Sequence, residues 1–280
     1  MSRAASAPAD EAPGAGAAND DEDTSDRQLR RTLHRSVEAG EERLDRPTAN
    51  LIATGVVGGL DIGVGVMALV VVSRQTGSHV LGSLAFGIGF IALTLARSEL
   101  FTENFLLPVS AVVARRTGFG RLLRLWVGTL AANWAAGWVF MYLLVVGLPD
   151  VEPTVIELGR HYPEMGIGAE AFASALLGGA VITLVTWLER ATTDIEARLV
   201  AAVSGGFLLA LGPLNHSVVG ALEMFGALIV GAPFGYLDAL GAASFAVVGN
   251  LVGGVGLVTV VRLIQVGADA VEQESAGRRG

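Results

Sequence analysis

Three groups of polar residues interrupt otherwise apolar runs. They are Arg97-Ser98-Glu99-Leu100-Phe101-Thr102-Glu103-Asn104, Asn215-His216-Ser217, and Asn250 within Gly249-Asn250-Leu251-Val252-Gly253-Gly254. Ionisable groups at membrane depth are costly and mark a substrate path or a proton relay. Histidine changes charge most easily near neutral pH. His216 stands three residues after Pro213, and is expected to donate a hydrogen bond or a proton to a passing solute. The plainer reading is a structural histidine in a sealed scaffold. A third reading makes His216 the base for Ser204 or Ser217 in an intramembrane serine hydrolase, which needs the pair within hydrogen-bond reach. The Ala-Val-Ser-Gly sequence around Ser204 lacks a Gly-x-Ser-Gly pattern. The four histidines, His34, His79, His161 and His216, fall in separate segments, so no metal cluster is expected. No glycine-rich phosphate loop follows a strand, and no cofactor is expected.

The elements that must hold these residues are hydrophobic spans. About 20 apolar residues cross a bilayer, and six such spans lie at about 49–73, 80–113, 122–147, 168–188, 198–230 and 239–264. The second is too long: a straight helix over it would run about 50 Å against a hydrocarbon core of about 30 Å. The excess coincides with the polar stretch 97–104. The fifth span is interrupted at Gly212-Pro213-Leu214-Asn215-His216-Ser217, where proline cannot donate a helical hydrogen bond. The expected fold is therefore an all-α membrane protein of six transmembrane helices in a 3+3 inverted repeat, with helices two and five broken and a site between the breaks. The glycines at 55, 58, 59, 63 and 65 and at 249, 253, 254 and 256 read as close helix packing.

Arginine placement predicts orientation. Arg115, Arg116, Arg121, Arg124, Arg190, Arg198 and Arg262 fall on one side, with both ends of the chain. The other side has Arg74 and Arg160 beside Asp150, Glu152, Glu157 and Glu164. Both termini are expected in the cytoplasm and the protein in the cytoplasmic (inner) membrane. Residues 1–26 read as a disordered acidic tail, and 27–46 as an amphipathic cytoplasmic helix with Leu29, Leu33, Val37 and Leu44 on one side. Residues 47–266 form the membrane domain and 267–280 a cytoplasmic tail.

Composition agrees. The 280 residues are 52% hydrophobic and 16% charged, with a net charge of −8 and 37 glycines. These values disfavour a soluble enzyme and a disordered chain, and the acidity leaves no footprint for nucleic acid. Cysteine is absent, which excludes disulfides and thiolate metal sites. All 19 basic residues are arginine.

Ser-Glu-Leu-Phe-Thr-Glu-Asn at 98–104, Asn-His-Ser at 215–217 and Gly-Asn-Leu-Val-Gly-Gly at 249–254 together resemble three motifs of the formate/nitrite transporter family. The first is similar to a branch with Thr-Glu-Asn where channels carry Thr-Gly-Asn. The resemblance, over about residues 30–265, implies an aquaporin-like fold, a homopentamer with a pore in each protomer, and small monovalent anions as substrates. It implies passive or proton-linked passage between hydrophobic constrictions around a central histidine. His216 matches that histidine, Thr102 the loop threonine and Asn250 the last-helix asparagine. Leu100, Phe86, Phe90 and Leu209 match constriction positions, and Leu209 replaces a common phenylalanine. Glu99 and Asn215 complete the candidate pathway, and Phe101 the candidate constriction. The family's vestibule lysine has no counterpart, and Arg160 or His161 stands nearest its place. Asn215 replaces a glutamate, and Arg97 and Glu103 add a charge pair. Arg97 is read either as an anion attractor or as the partner of Glu99 or Glu103. A water or glycerol channel is the neutral-solute alternative, but the paired Asn-Pro-Ala motifs of such channels are absent.

Overall fold

The computed structural model describes residues 15–276, with side chains from Thr24 onward except Ser25. Among the described residues the fold is all-helical. Five helices are long and apolar enough to cross a membrane: α2 (Thr48–Thr76), α3 (His79–Ala96), α5 (Phe119–Gly147), α7 (Ala169–Ala191), and the helix Tyr236–Val266. The last comprises α10 (Tyr236–Leu251), a π-helical stretch Val252–Val260 and α11 (Val261–Val266). Large apolar side chains such as Leu81, Leu84, Leu143, Val146, Val200 and Ile264 stay exposed around the bundle. Water would penalise such a surface, whereas lipid or a neighbouring subunit would not.

Two chain segments stop being regular inside the bundle. After α3 the chain turns at Arg97, which is left-handed (φ 54°). It then runs through the 3-10 turn Phe101–Phe105 into α4 (Leu107–Val113). After α8 (Ile195–Leu211) the segment 212–218 leads into α9 (Val219–Ile229). Pro213 has no N–H to offer there, and Leu214 N donates instead to Leu209 O at 3.1 Å.

The N-terminal region departs from expectation. α1 runs from Ala15 to Asp45, so helix replaces the expected disorder over 15–26; residues 1–14 of the expected tail lie outside the described residues. The segment extends a helix already anchored downstream. Leu33 and Val37 are buried with Leu106, Leu107, Trp187, Val266 and Ala270, with Leu29 packed against them, while Leu44 is buried with Leu51, Ala111 and Leu122. The apolar side of α1 is thus covered by the protein's own helices. Gly40 lets α1 touch the backbone of α4, since a Cβ there would sit 2.0 Å from Leu107 O. Most of the expected C-terminal tail is also ordered. α12 (Ala268–Ala276) docks on α1 through Glu274, which takes a hydrogen bond from His34 (2.9 Å) and pairs with Arg116 (3.3 Å). Residues 277–280 lie outside the described residues.

Truncating the buried Leu33 to alanine removes packing worth about 2–5 kcal/mol. Leu33→Ala should therefore speed hydrogen exchange and protease cleavage within α1 while leaving the other helices protected. Unchanged exchange in α1 would show that another contact holds it.

Candidate transport pathway

The two irregular segments are held by two asparagines that bond in the same pattern. Asn133, on α5, accepts from Phe101 N (2.9 Å) and donates to Glu99 O (3.0 Å) and Gly55 O (2.7 Å). Asn250, on α10, accepts from Ser217 N (2.8 Å) and donates to Asn215 O (2.9 Å) and Ala175 O (2.7 Å). Both are fully buried. Each satisfies one N–H and one C=O that the interrupted segment leaves without helical partners, and ties them to a carbonyl of a third helix.

The glycines repeat the correspondence. A Cβ on Gly58 would meet Glu99 O at 2.2 Å, and one on Gly59 would meet Asn133 O at 2.5 Å. In the second set Gly178 faces Asn215 O at 3.2 Å and Gly179 faces Asn250 O at 2.1 Å. Generic packing is therefore too weak a description of Gly58 and Gly59. They, with Gly179, let backbone approach where a side chain would collide.

The residues between the clamped groups meet at the centre. His216 is fully buried, and its Nε2 lies 2.8 Å from Thr102 Oγ1. Its Nδ1 accepts from Val218 N (3.3 Å) and Val219 N (3.1 Å) at the start of α9. A nitrogen that accepts backbone N–H groups carries no proton of its own. The bonding pattern thus assigns the neutral tautomer with the proton on Nε2, donating to Thr102. Thr102 then has its own hydroxyl proton to offer elsewhere. All five expected constriction residues, Phe86, Phe90, Leu100, Phe101 and Leu209, are buried in one apolar cluster. The rings of Phe86 and Phe90 meet edge to face at 5.8 Å. Asn215 is buried with its Oδ1 unpaired, as is Ser217 Oγ.

The charges by the first irregular segment are partnered differently from expectation. Glu99 is 1% exposed and takes a 2.5 Å hydrogen bond from Arg46, with Arg43 3.4 Å away. Arg43 also reaches Glu103 (3.4 Å) and donates to Asn104 Oδ1 at 2.7 Å. Arg43 lies on the last turn of α1 and Arg46 just after it, both more than 50 residues earlier in the chain. Arg97 is not the partner of these carboxylates: its left-handed, exposed position at the end of α3 turns it away from them. Arg160 lies on the opposite side, 3.7 Å from Glu164, on α6 (Glu152–Met165). The hydrolase reading also fails. Ser204 is exposed on α8, and both His216 nitrogens are engaged by Thr102 and backbone amides rather than by a serine.

Four participants were not singled out from sequence. Asn133, Asp61 (which accepts from Ser98 at 2.6 Å), Tyr162 and Glu223 are polar residues in or beside the spans. For Asn133, Asp61 and Glu223, polarity within an apolar run is the signal that was present.

Comparison with known proteins bears on the family and the fold. The chain is 29% identical over 195 residues to the inner membrane protein YfdC of Escherichia coli, covering 66% of this chain and 62% of that one. It is 24% identical over 247 residues to an uncharacterized transporter, YrhG, of Bacillus subtilis, covering 82% and 90%. Formate-nitrite transporter 3 of Toxoplasma gondii is 25% identical over 197 residues, covering 68% and 39%. The chain therefore spans less than two thirds of the length of YfdC and of the Toxoplasma protein. A solved FNT family ion channel superposes with a TM-score of 0.71 at 16% identity, covering 82% of this chain and 96% of that one. A pentameric formate channel with formate bound gives 0.64 at 16% identity, covering 76% and 95%. The family model for formate/nitrite transporters matches residues 30–264. With these matches and the central His216–Thr102 contact, the chain is a multi-pass membrane protein and belongs to the formate/nitrite transporter family.

Proposed function

We propose that each protomer passes small monovalent anions of the formate or nitrite type across the membrane, through the layer where Thr102 meets His216. The observation that carries this reading is the buried 2.8 Å contact between the two side chains, enclosed by apolar residues. An anion entering an apolar slit loses hydration, and a hydroxyl donor at the narrowest point offsets part of that loss. The neutral Nε2–H of His216 holds Thr102 as an acceptor, and the threonine proton is left for the anion. Both apolar rings and apolar aliphatic side chains flank the donor: Phe86, Phe90, Leu100, Phe101 and Leu209 act as the constrictions. Glu99 serves the pathway indirectly, by tying its backbone to α1. Asn215 lends an unpaired amide oxygen beside the centre.

On this reading the α3–α4 and α8–α9 pairs are broken spans two and five of a 3+3 inverted repeat. The matching bonds of Asn133 and Asn250 support it. The pentameric assembly of the formate channel is carried over as the expected oligomer. Both termini face the cytoplasm of an inner membrane. Arg116, Arg121 and Arg124 support this by contacting α1 or α12 on the side that holds both chain ends.

Four substitutions test the reading in the full-length protein, the first two by flux in liposomes and the last two by thermal unfolding. Thr102→Val removes a hydrogen bond to a charged solute, worth about 1.5–3 kcal/mol; formate flux should fall about 10- to 150-fold. Wild type and His216→Phe should differ in flux throughout pH 5 to 8, and equal flux at every pH would rule out a role for the histidine. Asn133→Ala and Asn250→Ala each strand two buried backbone groups of an irregular segment at about 1–3 kcal/mol apiece. Both should lower the thermal midpoint markedly and by similar amounts; a neutral result for either would break the proposed equivalence.

A further inference from the structure

A cavity of about 920 Å³ opens where α4, α11 and α12 meet, at the end of the bundle that α1 covers. None of its lining residues belongs to the pathway. The membrane-spanning helix Tyr236–Val266 stops at Gly267, whose φ of 96° favours glycine. The chain then turns into α12, which has two faces. Ala270, Gln273 and Glu274 are turned to α1: Ala270 is buried in its apolar cluster, Gln273 lies 3.5 Å from Arg30, and Glu274 meets His34. Ala268, Val271, Glu272 and Ser275, at helical spacing, line the cavity. α11 and the end of α4 supply an apolar wall of Val113, Val260, Leu263 and Ile264. Val113 is 45% exposed and Ile264 73%, so the protein's own side chains leave this wall uncovered. An acyl chain covers such a wall without the cost that water imposes.

The rest of the lining carries one cation and one anion. α4 ends in a Schellman turn, with Arg116 N donating to Ala111 O (2.9 Å) and Arg115 N to Val112 O (3.0 Å). The left-handed residue of such a turn is usually glycine. Here it is Arg115, with φ 55°, and the strain of that conformation places a guanidinium beside the cavity. Glu272 stands on the α12 side. Nearby, Arg116 and Glu274 pair at 3.3 Å. Among the described residues, Arg115 and Glu272 form no ion pair, with each other or with any third group. Two opposite charges held apart on one cavity match a ligand that itself carries both signs.

Headgroup chemistry narrows the choice. A headgroup with only a phosphate charge satisfies Arg115 but sets a like charge near Glu272. A quaternary ammonium donates no hydrogen bond and is recognised by aromatic faces, and no aromatic ring lines this cavity. A primary ammonium offers three donors. The Glu272 carboxylate can accept one, and so can Ser275 Oγ, whose own proton is given to Val271 O at 3.1 Å. We propose that the cavity binds a phosphatidylethanolamine molecule, with its phosphate on Arg115, its ammonium on Glu272 and Ser275, and an acyl chain along Val113, Val260 and Ile264. The lipid ties α12 to α4, which continues directly from the irregular segment Phe101–Phe105. The site is independent of what the pathway carries.

The test is native mass spectrometry of the full-length protein released from mixed bilayers of phosphatidylethanolamine, phosphatidylglycerol and phosphatidylcholine with identical acyl chains. Wild type should retain phosphatidylethanolamine about tenfold or more over either competitor. Arg115→Gly removes the guanidinium and also relieves the left-handed residue. Its lipid-free thermal midpoint should hold or rise, while its phosphatidylethanolamine retention falls about tenfold. Glu272→Gln should lose the preference over phosphatidylglycerol. Added phosphatidylethanolamine should raise the thermal midpoint of wild type and leave that of Arg115→Gly unmoved. Equal retention of the three lipids by wild type, or unchanged retention in both variants, would overturn the proposal. Unchanged retention together with a smaller assembly in either variant would also overturn it, and would seat a second copy of this chain in the cavity instead.

Discussion

Irregular backbone buried in an apolar bundle must have its hydrogen-bonding groups satisfied from within, because no water is at hand to do so. Here that requirement falls on two side-chain amides. Asn133 and Asn250 each take one N–H and one C=O from an interrupted segment and fasten them to a third helix. What lies between the fastened groups is then free to serve another purpose. In the first segment that residue is Leu100; in the second it is His216. The centre is chemically asymmetric although its supports correspond.

The supports also account for much of the small-residue pattern. Gly58, Gly59 and Gly179 stand where carbonyls of the segments or of the clamping asparagines come closest. The same economy explains α1. Its Arg43, with Arg46 just beyond its end, neutralises carboxylates that the first segment brings into a nearly dry environment, and its apolar face closes over α4 and α7. A buried carboxylate without such partners would be strongly destabilising. Charge pairing between elements far apart in sequence therefore belongs to the architecture of this protein as much as helix packing does.

Much of this is legible in the chain itself. Long apolar runs and sparse charge indicate an all-helical membrane protein, and three short motifs are enough to indicate the family. The contact of Thr102 with His216 joins two motifs that stand out as polar residues in apolar runs. Partnerships are less legible. Glu99 has Arg97 two positions away, yet its partners come from the end of α1 and the residue just after it, because the left-handed turn at Arg97 leaves that residue exposed. Asn133 reads as an incidental polar residue until its bonds are set beside those of Asn250. Helix over 15–26 was hidden by acidic composition, which describes solubility better than it describes local conformation when the next segment is already anchored. Glu223 stands out as a charge within an apolar run, but its place opposite Tyr162 depends on how α6 folds back, which no local pattern encodes.

The central claim is that the layer around His216 and Thr102 passes small monovalent anions and little else. Stopped-flow light scattering on liposomes carrying the wild-type protein tests it most directly, with matched gradients of formate, nitrite and glycerol. The account predicts fast relaxation for formate or nitrite over protein-free liposomes and none beyond background for glycerol. Equal relaxation for glycerol, or no relaxation for either anion, would contradict it.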